Sequence, residues 1–327
     1  MRAGTFVGLL AALAVAGSGA LAEEQHCQLQ AIGELPLEGG GPVTDAQVNG
    51  QSVRLLIDTG SFGTLLFTAD ARKLGLFLRP TGAKSYGVGG ESDIFSARVK
   101  EFRLGNMTEH DADLAVTGES FKGISGVLGA KFLMQADVEF DFAHGKVRFF
   151  KPRGCTGDQV VYWGDAYSVA PTAGATQDQI LVRVSVNGAP VVAQLDSGAS
   201  TSVLTPGAAA RAGITARSAG VVAAENLHGL GRVPVESRVG LFTTFSFGEE
   251  TIKNARIVIA DMFAADKDTA INTRIASAVT DQPQMLLGAD FLRAHRVYVA
   301  LSQHKIYVSY VGGPVFVAPP PAPPAKP

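Results

Sequence analysis

A mainly β chain with short helices, written as one structural unit twice over, is the fold that this sequence predicts. The first observation is a doubled motif: Leu55-Leu56-Ile57-Asp58-Thr59-Gly60-Ser61 is echoed by Ala193-Gln194-Leu195-Asp196-Ser197-Gly198-Ala199. In each copy a β-rich run feeds an aspartate, then a small hydroxyl residue, then a glycine that lets the backbone turn sharply and pass close by. The second is a hairpin signal ahead of each aspartate. Asn49-Gly50 separates strand-like residues 43–48 and 53–57, and Asn187-Gly188 separates 180–186 and 191–195. The third is another doubled motif, in which Val127-Leu128-Gly129-Ala130-Lys131-Phe132-Leu133 matches Leu286-Leu287-Gly288-Ala289-Asp290-Phe291-Leu292. Helical patterning is brief, at residues 69–74, 206–212 and after each Leu-Gly-Ala.

The offsets between copies locate the insertions. At the aspartates the offset is 196 − 58 = 138; at the glycine motif it is 288 − 129 = 159, held without a gap to Val138/Val297 and Lys146/Lys305. The second copy therefore carries 159 − 138 = 21 additional residues. Gly87-Val88-Gly89 and Gly229-Leu230-Gly231 lie between the motifs at 229 − 87 = 142, so 4 of the 21 precede this loop and 17 follow it. This is one fold unit duplicated, not a solenoid. Strands at 138–142 with 146–150, and at 297–301 with 305–310, are expected to complete the sheet of each unit.

At the N-terminus, Arg2, the apolar run at residues 6–16 and Ala20-Leu21-Ala22 read as a secretory signal with its cleavage site. The apolar run is shorter than the about 20 residues that span a bilayer, although an uncleaved anchor is the alternative. The expected setting is therefore exported, periplasmic or secreted. The two cysteines, Cys27 and Cys155, favour a disulfide in an exported chain, with two buried thiols as the other possibility. The C-terminal run Pro319-Pro320-Pro321-Ala322-Pro323-Pro324 favours extended polyproline conformation and reads as a disordered spacer.

The ordered set of paired motifs resembles the retropepsin-type aspartic protease subunit: an aspartate triad, a glycine-rich flap, then an apolar-apolar-glycine motif. The fused pair resembles the single-chain, two-lobed aspartic protease of the bacterial periplasm, over about residues 42–151 and 178–311. What the resemblance implies is two pseudo-symmetric β-barrel lobes of the acid-protease fold. The chain then divides into a signal peptide (1–22), an N-terminal extension (23–41), a first lobe (42–155), an inter-lobe linker (156–177), a second lobe (178–312) and a Pro-rich tail (313–327). The extension is long enough to cover the cleft. The 17 inserted residues, near 261–284, read as a surface excursion beside it.

The resemblance also implies an aspartic endopeptidase, with Asp58 and Asp196 meeting at the lobe interface as its catalytic pair. Two like charges about 4 Å apart repel by roughly 4 kcal/mol at an effective dielectric of 20, near three pKa units. Such a pair binds one proton over a wide acidic range, so one member can take a proton from water while the other donates. Thr59 and Ser197 correspond to the family's hydroxyl pair, and Gly60 and Gly198 bring backbone N–H groups to the carboxylates. Ser61 and Ala199 break the symmetry. A Ser61 hydroxyl donating to Asp58 makes Asp58 the more readily ionised member and points to a milder pH optimum.

Flap positions follow as Tyr86, Gly87, Val88, Gly89 and Gly90 in the first half and His228, Gly229, Leu230 and Gly231 in the second. Tyr86 resembles the flap tyrosine of pepsin-like enzymes at a different spacing. Leu128-Gly129 and Leu287-Gly288 are expected to support the aspartate loops from below. A monomer acting as a pseudo-dimer on an extended peptide or protein substrate is implied, and a non-catalytic peptide-binding or scaffolding role on the same fold is the alternative.

Composition narrows the remaining classes. Hydrophobic residues at 46% and charged ones at 18% describe a globular chain, and a formal net charge of −2 argues against nucleic acid or an anionic membrane as partner. The six histidines lack metal-ligand spacing, and Glu109-His110-Asp111-Ala112-Asp113 lacks the glycine turn of a cation loop, so no metal and no cofactor are expected.

Overall fold

A computed structural model describes residues 27–39, 41–119, 121, 123–164, 167–176, 179–229, 231, 233–262 and 283–316. The first unit runs β1 (Gln28–Pro36), β2 (Val43–Val48), β3 (Gln51–Asp58), β4 (Leu65–Leu66), α1 (Thr68–Lys73), β5 (Arg79–Gly87), β6 (Gly90–Leu104), β7 (Met107–Val116), β8 (Gly126–Gly129), α2 (Ala130–Leu133), β9 (Asp137–Asp141) and β10 (Lys146–Arg153). The second repeats it strand for strand: β11 (Ser168–Thr176), β12 (Gln179–Val186), β13 (Ala189–Leu195), β14 (Val203–Leu204), α3 (Pro206–Arg211), β15 (Val222–Leu227), β16 (Val235–Phe247), β17 (Glu250–Ala260), β18 (Met285–Leu287), α4 (Ala289–Ala294), β19 (His295–Ala300) and β20 (Lys305–Tyr310). The fold is mostly β, as the duplicated strand patterns require.

Both Asn-Gly turns form with all four residues at positive φ, Asn49 at 51°, Gly50 at 78°, Asn187 at 49° and Gly188 at 79°. This backbone matches the strand twist, and asparagine and glycine are the residues that adopt it cheaply. Each hairpin leads into a closed ring of strands. The first ring is β2-β3-β8-β4-β7-β6, closed by β2–β6, with β5 extending it; the second is β12-β13-β18-β14-β17-β16, closed by β12–β16, with β15 extending it. Alternating inward side chains, such as Val53, Leu55 and Ile57 on β3 and Val191, Ala193 and Leu195 on β13, fill the rings.

The strands expected to finish each unit's own sheet instead join the two units. The sheet runs β1-β10-β9-β19-β20-β11, and β9 pairs antiparallel with β19 at the seam. Glu139 faces Tyr298 there, and 298 − 139 = 159 is the repeat offset, so the pseudo-two-fold axis passes between these two residues. One face of this sheet, with Val138, Phe140, Val297 and Val299, belongs to the main core. The other buries Phe150, Tyr298 and Tyr307 under the chain between the units, through Val160, Val161 and Trp163. Arg148 reaches Glu139 at 3.2 Å and Arg296 reaches Asp141 at 3.2 Å on that face, so the buried carboxylates are paired.

Two expectations about connecting segments change. Residues 28–36, placed in an extension able to cover the cleft, form β1, which pairs along β10 and is tied down by a Cys27–Cys155 disulfide. Part of the expected linker, Ser168–Thr176, is β11, the counterpart of β1, paired with β20 and β12. The signal segment, most of residues 261–284 and the proline-rich run lie outside the described residues.

Candidate active site

Both aspartates stand at the end of a strand held by a parallel neighbour. Asp58 closes β3 opposite Gly129 of β8, and the Asp196 N–H donates to Leu287 O of β18 at 2.9 Å. The apolar-apolar-glycine motifs thus lie beside the aspartate loops as supports. Ala130 N–H donates to Ser61 O at 2.7 Å, and Ala289 N–H to Ala199 O at 2.8 Å, the same contact in each half.

Each carboxylate is then gripped by its own loop. Asp58 Oδ1 accepts from the N–H of Gly60 at 2.9 Å and of Ser61 at 3.1 Å; Asp196 Oδ1 accepts from Gly198 at 3.0 Å and Ala199 at 3.1 Å. The two loops press against each other. A Cβ on Gly60 would sit 2.5 Å from the Asp196 carboxyl, and one on Gly198 would sit 2.4 Å from that of Asp58. Only glycine permits that approach, which is why each triad ends in one.

Thr59 and Ser197 lock the arrangement. Thr59 Oγ1 donates to Leu195 O at 2.7 Å and accepts from Ser197 N–H at 3.0 Å; Ser197 Oγ donates to Ile57 O at 2.8 Å and accepts from Thr59 N–H at 3.0 Å. Both side chains are fully buried, and every one of these bonds crosses from one unit to the other.

The two aspartates are hydrogen-bonded to each other, and burial raises both pKa values. Asp58 is pushed up to about 8, first by burial and then by the charge of Asp196, against the lowering effect of the Gly60 and Ser61 N–H groups. Asp196 is raised by burial and held back by the N–H groups of Ala199 and Gly198. The bond from the Ser61 hydroxyl that was expected to favour an ionised Asp58 is not made. The reason is that the Ser61 hydroxyl turns away and donates to Gly63 O at 3.0 Å. Only its backbone N–H reaches Asp58, as that of Ala199 reaches Asp196.

The flap residues fall into two groups. Gly87 and Gly90 pair at the tip of the β5–β6 hairpin, with Val88 and Gly89 between them. Gly231 N–H donates to Val88 O at 3.0 Å, and Val233 N–H to Gly89 O at 2.9 Å, so the glycine loops of the two halves touch. Gly229 packs on Val88 in the same contact. Tyr86 and His228 are exposed, and Leu230 lies outside the described residues. Tyr86 lines a cavity of about 650 Å³ together with Gly60, Phe62, Thr117, Lys131 and Phe132.

Three contributors carry no sequence motif of their own. Val233 joins the flap contact from beyond the glycines, Phe62 stands exposed at the cavity wall, and Asp290 is buried under the second loop. Only Asp290 had a visible signal, since it replaces Lys131 in otherwise matching motifs.

A family model described as aspartyl protease matches residues 44–132 and 182–291 of this chain. Among solved structures, the crystal structure of an aspartic proteinase from Irpex lacteus aligns at 15% identity and a TM-score of 0.48, covering 86% of this chain and 97% of that one. No curated protein sequence matches.

Proposed function

The chain belongs to the aspartyl protease family, and from that premise we propose that it is an exported aspartic endopeptidase, complete in one chain, acting on extended peptides or unfolded protein. The reading rests above all on the reciprocal packing of Gly60 on Asp196 and Gly198 on Asp58, which draws two half-buried aspartates of one chain into a single pair. A close carboxyl pair of this kind retains one proton where isolated carboxyls have lost theirs.

With one proton held by the pair, the ionised member is the base. It takes a proton from a water lying between the carboxyls as the water oxygen bonds to the scissile carbonyl carbon, while its protonated partner gives its proton to the carbonyl oxygen. The tetrahedral intermediate then collapses: the C–N bond breaks as the leaving nitrogen takes the proton gained from water, and a hydroxyl of the intermediate returns a proton to the other carboxylate as the new carbonyl forms, so the pair regains its starting form. The Gly60, Ser61, Gly198 and Ala199 amides need not move during these steps, so the site is preorganised for the charge it carries. The touching flap loops supply backbone groups to an extended substrate once they part, as in strand addition. The cavity between Phe62, Tyr86 and Phe132 offers room for a large apolar substrate side chain. Export through residues 1–22, a bacterial periplasmic setting and a monomeric working state belong to the same proposal.

The test is cleavage of a denatured protein between pH 3 and 9 by wild type, Asp58→Asn and Asp196→Asn, with and without a statine-type inhibitor. Loss of cleavage in both variants supports the dyad, and survival of cleavage in either refutes it. A wild type that binds the inhibitor yet cleaves nothing would point to the peptide-binding role instead.

A further inference from the structure

The two aspartate loops are stapled differently. In the first half the Ser61 hydroxyl crosses its own loop to Gly63 O at 3.0 Å, and Thr64 Oγ1 accepts from Gly129 N–H at 3.3 Å. Position 199 is alanine, so the second loop lacks the hydroxyl that makes the first of these staples. Its place is taken from below. Asp290, 2% exposed at the start of α4, accepts from Ser202 Oγ at 2.6 Å, Ser202 N–H at 2.9 Å, Thr201 Oγ1 at 3.2 Å and Phe291 N–H at 2.9 Å. Ser202 Oγ in turn accepts from Gly288 N–H at 2.9 Å, and Ala289 N–H, next in the chain, holds Ala199 O at 2.8 Å. The Ala199 N–H at the end of this path is one of the two that grip Asp196. The matching position in the first half is Lys131, which is exposed and lines the cavity beside Phe62.

We propose that Asp290 is the positioning residue of the second half-site, holding the 199–202 turn in the shape that aims the Gly198 and Ala199 amides at Asp196. This rests on reading Asp58 and Asp196 as the working pair. A buried carboxylate has reason to be here because it accepts several bonds at once, where a hydroxyl or amide must also donate. Its partners are hydroxyls and amides. The charged side chain that meets the same loop is Arg293, one turn along α4, which donates to Ser200 O at 3.2 Å. The titratable group facing Asp196 itself is Asp58. Loosening the turn weakens the bonds to ionised Asp196 and so favours its protonated form.

The experiment pairs Asp290→Asn, which keeps the shape but turns donors toward the Ser202 N–H, with Ser202→Ala, which cuts the path one link later. Two readouts are taken: kcat and KM against pH on a peptide that the wild type cleaves, and titration of carboxyl-labelled aspartates by NMR, which needs no cleavage. Both variants are expected to lose roughly tenfold in kcat with KM within about twofold, and to shift the lower titration of the pair upward by about one pH unit. A lowered unfolding midpoint with kcat and the titration unmoved would overturn the proposal, because Asp290 would then be only structural. Should Asp290→Asn fail to fold, Ser202→Ala decides by the same criterion. If the wild-type aspartates titrate independently in the ordinary carboxylate range, the dyad itself falls and the proposal with it. That outcome is distinguished by appearing before any substitution is made.

Discussion

Ser197→Ala isolates the clasp between the halves. The change removes one oxygen and no volume that matters, but that oxygen donates to Ile57 O and accepts from Thr59 N–H, at 2.8 and 3.0 Å, in a fully buried site. A typical hydrogen bond contributes about 1 kcal/mol net, whereas a buried group left without a partner costs about 1–3 kcal/mol. Two bonds lost, with the Thr59 N–H stranded, sum to about 2–4 kcal/mol. At about 3 °C per kcal/mol for a chain of this size, the melting midpoint falls by roughly 6–12 °C. Urea unfolding of wild type, Ser197→Ala, Thr59→Val and the double variant measures this directly. The two hydroxyls make four separate bonds, each to backbone of the other half, so the double variant should cost within about 1 kcal/mol of the sum of the singles. Ser61→Ala is the control: its hydroxyl bonds Gly63 O and not Asp58, so the loss stays near 1 kcal/mol and the pH profile keeps its place. A Ser197→Ala variant within about 0.5 kcal/mol of wild type would refute the claim that these hydroxyls hold the halves together.

Burial raises Asp58 from 3.8 to about 8, so its neutral form is favoured in the folded chain. The stability this contributes is present below pH 4 and lost as pH climbs toward 8; Asp58→Asn should flatten that decline in urea titrations, and wild-type kcat/KM should show an alkaline limb near pH 8. In Gly231→Ala the new Cβ would lie 2.0 Å from Gly89 carbonyl carbon, forcing the flap loops apart. Peptide kinetics should show KM raised about tenfold with a smaller change in kcat, and unchanged KM would argue that the contact is idle. Replacing Cys27 and Cys155 together opens a link across 128 residues, which should cost about 2–4 kcal/mol in urea while leaving cleavage at 25 °C intact.

What could be read in advance was local. Asp58 and Asp196 are recognisable because glycine, a small hydroxyl residue and a β-rich run are each required within a few residues of the carboxylate. The Asn-Gly hairpins announce themselves because positive φ restricts the choice of residue. β1 and β11 escaped notice for the opposite reason. Gln28–Pro36 and Ser168–Thr176 share no pattern, and β1 becomes a strand through β10, more than a hundred residues further on. Nothing local marks such a segment when its partner supplies the hydrogen bonds.

The sequence by itself determined that the chain is one β unit used twice, where each unit turns, and which two carboxylates stand at equivalent strand ends. Only the tertiary structure decided how the copies meet: β9 on β19 across the pseudo-two-fold, Gly60 on Asp196 and Gly198 on Asp58, flap against flap. It also decided that the Ser61 hydroxyl faces its own loop and that Asp290 lies beneath the other. The division is physical. Backbone conformation and side-chain periodicity depend on neighbours in the chain, whereas the direction of a hydroxyl and the charge of a carboxylate depend on what the fold brings within about 3 Å.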